Sequence, residues 1–228
     1  MELSLFEKKI NITFRNKDIL KQAFVHRSYL NENRSLNIPH NERLEFLGDA
    51  VLELVITDYL FKKYPQRPEG DLTAYRSALV NANTLSDAAS SLGINDFLLL
   101  SRGEAKDTGR ARQYILANAF ESIIGAIYLD QGYDIAEKFI AGILFNKIDE
   151  IVEKGLWIDA KSHFQEKAQE HVGITPSYKT LKEAGPDHDK RFIIGLFLSE
   201  KLIAEGSGKS KQEAEQEAAR KALDNKGW

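Results

Sequence analysis

At 228 residues the chain has room for one large domain or two modest ones. It contains no cysteine, which excludes disulfides and cysteine-based zinc sites. A formal net charge of −3 argues against indiscriminate polyanion binding through bulk charge, so any contact with nucleic acid must come from local clusters.

The N-terminal run MELSLFEKKI lacks the basic-then-apolar layout of a signal peptide. The most apolar run, Tyr114 to Leu129, carries Asn118 and Glu121 and is short for a membrane span, so it reads as a core helix. A cytoplasmic protein with no membrane partner is expected.

In chain order, the first helix is expected at Ile19 to Leu30, with Asn16 or Asp18 able to cap its start. His26 falls in its half-apolar middle and reads as a packing residue rather than a catalytic one. Asn31 to Pro39 is a polar loop. It leads into Asn41 to Leu52, NERLEFLGDAVL, the start of a run without proline as far as Leu60 that is rich in Leu, Ala and Glu and predicts a helix. At about 100° per residue, Glu42, Glu45 and Asp49 fall within an arc of roughly 60°. Leu44, Phe46, Leu47, Ala50, Val51, Leu52, Leu54 and Val55 cover most of the rest, the pattern of a buried helix. Three carboxylates stacked on such a helix repel one another in a poorly hydrated place, which is costly unless a cation joins them. Glu53 lies just beyond the arc, and geometry leaves it open as a fourth ligand.

The prolines and glycine of KKYPQRPEG break that helix, and Glu69 and Asp71 open the next. Asn81 to Leu92 is a further helix closed by Gly93. The polar segment Ser101 to Arg112 carries Arg102, Lys106, Arg110 and Arg112, which suits a mobile loop facing phosphate or a plain solvated loop. In the core helix Tyr114 to Leu129, Asn118 and Glu121 are spaced i, i+3 and share a face. If this helix packs on the central one, Glu45, Asp49, Asn118 and Glu121 form one oxygen-rich cluster. All-oxygen ligation selects hard cations, Mg²⁺ or Mn²⁺ over zinc.

The pattern thins after Lys147, and Gly155 marks a linker. The expected division is residues 1–152, a linker at 153–158 and a second module at 159–228. Asp159 to Val172 reads as an amphipathic helix with Asp159 as cap and Phe164, Ala168 and Val172 at i, i+4, i+8. Strands are expected at Ser177 to Glu183, Arg191 to Leu198 and Lys201 to Glu205, with a hairpin turn at Ser199 and Glu200. A final helix, Ser210 to Leu223, presents the small residues Ala214, Ala218, Ala219 and Ala222 to the sheet. The stretch GSGKSKQEAE places Lys209, Ser210 and Lys211, with free backbone N–H groups, at that helix start, a ready phosphate site.

Residues 41–52 resemble the signature of the ribonuclease III family, and ANAFESIIGAIYLD resembles its second acidic motif. The C-terminal module is similar to a double-stranded RNA-binding domain through GPDHDKRF and GSGKSKQEAEQEAA. The resemblance implies a multidomain chain, an all-α endonuclease domain followed by a small α-β-β-β-α (α+β) RNA-binding domain. It further implies a two-fold homodimer that hydrolyses double-stranded RNA with Mg²⁺, leaving 5′-phosphate and 3′-hydroxyl ends with two-nucleotide 3′ overhangs, in rRNA-precursor and mRNA processing. By position it makes Asp49 and Glu121 catalytic and Glu45, Asn118 and Glu121 metal ligands. Glu42 and Glu69 become further active-site acids, and Phe46 a dimer-interface residue. Gln165, Gln169 and His188 would each reach a minor groove, and Lys209, Ser210 and Lys211 would hold phosphates; Gln212 stands where a third basic residue is common. One departure stands out: position 118 is Asn where the family usually has Asp. An Asn carbonyl still ligates Mg²⁺ but brings no negative charge, so weaker metal affinity with retained activity is expected. The competing reading is a dimeric double-stranded RNA-binding protein that cleaves weakly or not at all because of Asn118.

Overall fold

The computed structural model describes residues 2–155, 157, 159–185 and 190–228. Two 22-residue helices, α4 (Glu42–Lys63) and α7 (Arg110–Gln131), form the axis of the first unit, Met1–Trp157. They cross at glycines. A Cβ on Gly48 would lie 1.8 Å from the Glu121 carbonyl oxygen, and one on Gly125 would lie 2.2 Å from that of Leu44. Only glycine lets two backbones approach this closely. Leu44, Val51, Leu52, Val55, Ile56 and Leu60 of α4 are buried against the apolar side of α7, where Ile123, Ile124, Ala126 and Ile127 are wholly inaccessible.

Shorter helices close around this pair: α1 (Leu3–Ile10), α2 (Lys17–Ala23), α3 (Arg27–Glu32), α5 (Glu69–Leu79) and α6 (Ala82–Ser91). After α7 come α8 (Tyr133–Ile140), a π-helical turn at Ala141–Phe145 and α9 (Asn146–Glu153). The helix expected over Ile19 to Leu30 is in fact two, α2 and α3. Between them the backbone leaves the helix to pair with a distant segment: Leu99 N–H donates to the Phe24 carbonyl at 2.9 Å, and His26 N–H donates to Leu99 at 3.1 Å. Asn16 caps α2, its Oδ1 accepting from Asp18 N–H at 2.9 Å. His26 caps α3 through Nδ1, accepting from Ser28 N–H at 3.3 Å.

The expectation that α4 is buried all round also needs correction. Phe46 is 81 % exposed, Leu54 57 % and Phe61 69 %. At about 100° per residue these three fall within roughly 80° on one side of the helix.

The second unit, Ile158–Trp228, is built on an antiparallel sheet in the order β1-β2-β3. Its strands are β1 (Ser177–Ala184), β2 (Arg191–Leu198) and β3 (Lys201–Gly208); the β2–β3 hairpin turns at Ser199, φ 54°. Helices α10 (Ala160–Val172) and α11 (Lys211–Lys226) bury Phe164, Ala168, Ala218, Ala219 and Ala222 with Leu196 and Leu198 of β2. The alanines let α11 lie so close that a Cβ on Gly206 would sit 2.1 Å from the Ala214 carbonyl oxygen. Asp159 caps α10, accepting from Ser162 N–H at 3.3 Å. Val172 does not join Phe164 and Ala168 in the core; it lies exposed on the last turn before Gly173 (φ 67°) ends the helix. Among the described residues no helix is long and apolar enough to cross a membrane.

Candidate active site and nucleic-acid interface

The crossing of α4 and α7 decides which side chains meet. Asn41, buried at the start of α4, donates from its backbone to the Val25 carbonyl at 2.9 Å and from its side chain to that of Ala23 at 3.4 Å. From α7, the buried Ser122 hydroxyl lies within hydrogen-bonding reach of the carbonyls of Asn118 (2.8 Å) and Asn41 (3.3 Å). The helix start is thereby tied to the turn of α7 that carries Asn118 and Glu121. Glu45, one turn into α4, and Glu121 are half-buried at this junction, while Asp49 opens to solvent.

The electrostatics report the crowding. Glu121 is pushed up to about 8, first by burial and then by the charges of Asp49, Glu45 and Glu53. Glu45 is raised by burial and by Glu42 and Asp49, while the Asn118 side chain, hydrogen-bonding to its charged form, pulls the other way. Among the described residues, no lysine or arginine forms an ion pair with Glu45, Asp49 or Glu121. Nor do any three His, Asp or Glu side chains there already converge closely enough to hold an ion. The donors present are all oxygen, the set suited to a hard cation.

The outer acids behave differently. Glu42 faces Arg27 Nη1 at 3.3 Å and His40 Nδ1 at 3.8 Å. Glu53 is paired with Arg76 Nε at 2.9 Å. Glu69 is not brought to the cluster within one chain. It accepts from the Thr73 hydroxyl at 2.9 Å and lines a cavity of about 390 Å³ between α4 and α5 with Arg67 and Arg76. The pairing residues Arg27, His40 and Arg76, and the crossing glycines, escape sequence reading. Glycine inside an apolar helix was the one available signal.

In the basic segment before α7, Arg112 is committed to structure. Its guanidinium donates to the carbonyls of Glu104 (2.9 Å), Ala105 (3.1 Å) and Asp107 (3.1 Å), stapling the loop shut. The helix start in the second unit is also less open than its sequence implied. Ser210 Oγ accepts from Glu213 N–H at 3.1 Å, and Glu213 accepts from Lys209 N–H at 2.8 Å, a reciprocal pair like a capping box but reaching one residue before the cap, which consumes two of the amides. Lys211 pairs with Glu183 at 3.2 Å, whereas Lys209 and Ser210 are exposed. Gln165 and Gln169 are exposed one turn apart on α10. His188 lies outside the described residues.

Comparison with known proteins agrees with both units. A family profile described as Ribonuclease-III-like matches residues 16–148, and one described as Double-stranded RNA binding motif matches residues 160–226. A protein named Ribonuclease 3 from Borreliella burgdorferi is 46 % identical over 224 residues, spanning 97 % of this chain and 90 % of that protein. Its namesake from Carboxydothermus hydrogenoformans is 47 % identical over 218 residues, 96 % of this chain and 93 % of that one. Among solved structures, the nuclease domain of ribonuclease III from Campylobacter jejuni, a study of flexibility in a region involved in dimer formation, aligns with a TM-score of 0.56 at 38 % identity. That alignment covers 62 % of this chain and 98 % of that domain. The chain belongs to the ribonuclease III family, an enzyme made of a ribonuclease-III-like helical domain followed by a double-stranded RNA-binding motif.

Proposed function

We propose that the chain hydrolyses phosphodiester bonds in double-stranded RNA as a cytoplasmic homodimer, with Mg²⁺ at its acids and Mn²⁺ able to substitute. The observation that carries this reading is the meeting of Glu45 and Glu121. Two half-buried carboxylates, each driven toward its protonated form, share a junction where no lysine or arginine pairs with them among the described residues. Such a pair is stable in its charged form only with a cation.

Glu45, Glu121 and the Asn118 side-chain oxygen are the ligands in this reading. A divalent ion bound there supplies charge neutralisation at the scissile phosphate and makes water a better nucleophile. Asp49, one turn beyond Glu45 and open to solvent, orients the attacking water and takes up its proton. The water oxygen bonds to phosphorus, the bond to the 3′-oxygen breaks, the departing 3′-oxygen takes a proton from solvent, and 5′-phosphate and 3′-hydroxyl ends result. Glu42 and Glu69 line the valley in which the duplex lies. The exposed stripe of Phe46, Leu54 and Phe61 supports dimerisation, since a second copy covers apolar side chains that one chain leaves in water. Two sites on opposite strands then give the two-nucleotide 3′ overhang. In the second unit, Gln165 and Gln169 face a minor groove, and Lys209, Ser210 and Lys211 face phosphates. Processing of rRNA precursors and mRNA is the role this chemistry suits.

An end-labelled duplex incubated with Mg²⁺ is expected to yield shortened products; a mobility shift without shortening would mean a binding protein instead. In the same assay Asn118→Asp is expected to lower the half-saturating Mg²⁺ by about fivefold, because a third anionic ligand beside Glu45 and Glu121 strengthens a hard-cation site. Equal half-saturation would take position 118 out of the ligand set.

A further inference from the structure

The acids of α4 do not share one fate. Glu53, one turn beyond Asp49, is held by Arg76 of α5, whose Nε lies 2.9 Å from Glu53 Oε2 and whose Nη1 donates to Thr57 Oγ1 at 2.8 Å. The guanidinium fork thereby fixes two positions one turn apart on α4, an arrangement that its planar geometry favours and a lysine could reproduce only in charge. Glu53 stands close enough that its charge still acts on Glu121. Left unpaired, it would be a fourth carboxylate beside the cluster, able to compete for the ion or draw a second one to a different place. The Arg76 and Glu53 side chains are 32 % and 39 % exposed, so the pair contributes little to holding the fold together. Its consequence lies in where charge is placed.

We propose that Arg76 is a positioning residue that withholds Glu53 from the cation-binding set, leaving Glu45 and Glu121 to share the ion. This rests on the reading that a divalent cation sits at those two acids. Arg76 touches neither acid and acts only through Glu53.

The test is Mn²⁺ binding to the full chain without RNA, followed by titration calorimetry and by the electron paramagnetic resonance of the bound ion. Arg76→Gln, which keeps a donor for Thr57, is expected to bind Mn²⁺ roughly three- to tenfold tighter, or to bind an additional ion, because one negative charge is released beside the site. Its resonance line shape should change as Glu53 enters the coordination. Arg76→Lys should stay near wild type, and Arg76→Gln/Glu53→Gln should return to it in affinity and line shape. Arg67→Ala removes a charge from the same cavity without freeing Glu53, since Arg67 pairs with Asp71 at 3.4 Å, and should leave binding unchanged. Wild-type affinity and line shape in Arg76→Gln would overturn the inference, as would equal tightening by Arg67→Ala or failure of the double variant to revert. If the wild-type chain binds no Mn²⁺, the cation reading itself fails and takes this inference with it.

Discussion

Replacing Glu121 with glutamine is expected to move activity and metal-free stability in opposite directions. Cleavage should fall by about a thousandfold, equivalent to about 4 kcal/mol of lost transition-state stabilisation, because the amide cannot supply an anionic ligand. Stability follows from protons. The Glu121 carboxyl is pushed up to about 8 from an ordinary value near 4.5, chiefly by burial. Between those values the native state keeps a proton that the unfolded chain has released. Metal-free wild type therefore loses stability as pH rises from about 5 to about 8. The glutamine carries no charge at any pH, so Glu121→Gln should flatten that decline and melt at a higher temperature than wild type near the upper end. Thermal melts in a chelator across this range check it, and Mg²⁺ should restore the wild-type loss while leaving the variant almost unmoved. Parallel pH profiles for the two proteins would show that Glu121 is not the group responsible.

The second large effect lies at the crossing. A methyl on Gly48 would be driven to 1.8 Å from the Glu121 carbonyl oxygen and 2.9 Å from Gly125 N. Both are backbone atoms that no rotamer change can move aside, so α4 and α7 must separate. Gly48→Ala should cost about 3 kcal/mol, the upper end of ordinary overpacking, and lower Tm by about 10 °C. Activity should fall further than stability does. A displacement of about 1 Å between Glu45 and Glu121 is enough to cost a hundredfold. Gly142→Ala, whose Cβ would meet nothing within 4 Å, is the control and should leave both quantities near wild type. A Gly48→Ala protein with wild-type Tm and rate would mean that the helices do not depend on this contact.

The acids were legible because their spacing is local: Glu42, Glu45 and Asp49 on one helix face, and Asn118 and Glu121 on another, need only helical periodicity. The strand alternation of Phe192, Ile194, Leu196 and Leu198 was legible for the same reason. What the sequence hid was what depends on distant partners. The break between α2 and α3 arises from the pairing of Phe24 and His26 with Leu99, which no local pattern announces. Leu54 and Phe61 look like core in a sequence, since composition does not distinguish a residue covered by its own chain from one left for another; Phe46 looks the same by composition, and only the family resemblance marked it for an interface. The pairing of Glu53 with Arg76 likewise appears only once α5 is laid beside α4. The Ser210 to Glu213 spacing was readable as a capping box, yet the neighbouring lysines drew the reading toward an open phosphate site.

Crystals soaked in Mn²⁺ and measured for anomalous scattering bear most directly on whether a cation joins the two helices. The expected result is a peak about 2.1 Å from carboxylate oxygens of both Glu45 and Glu121, a hard-cation distance. Manganese bound elsewhere, with those two side chains turned apart into solvent, would contradict it.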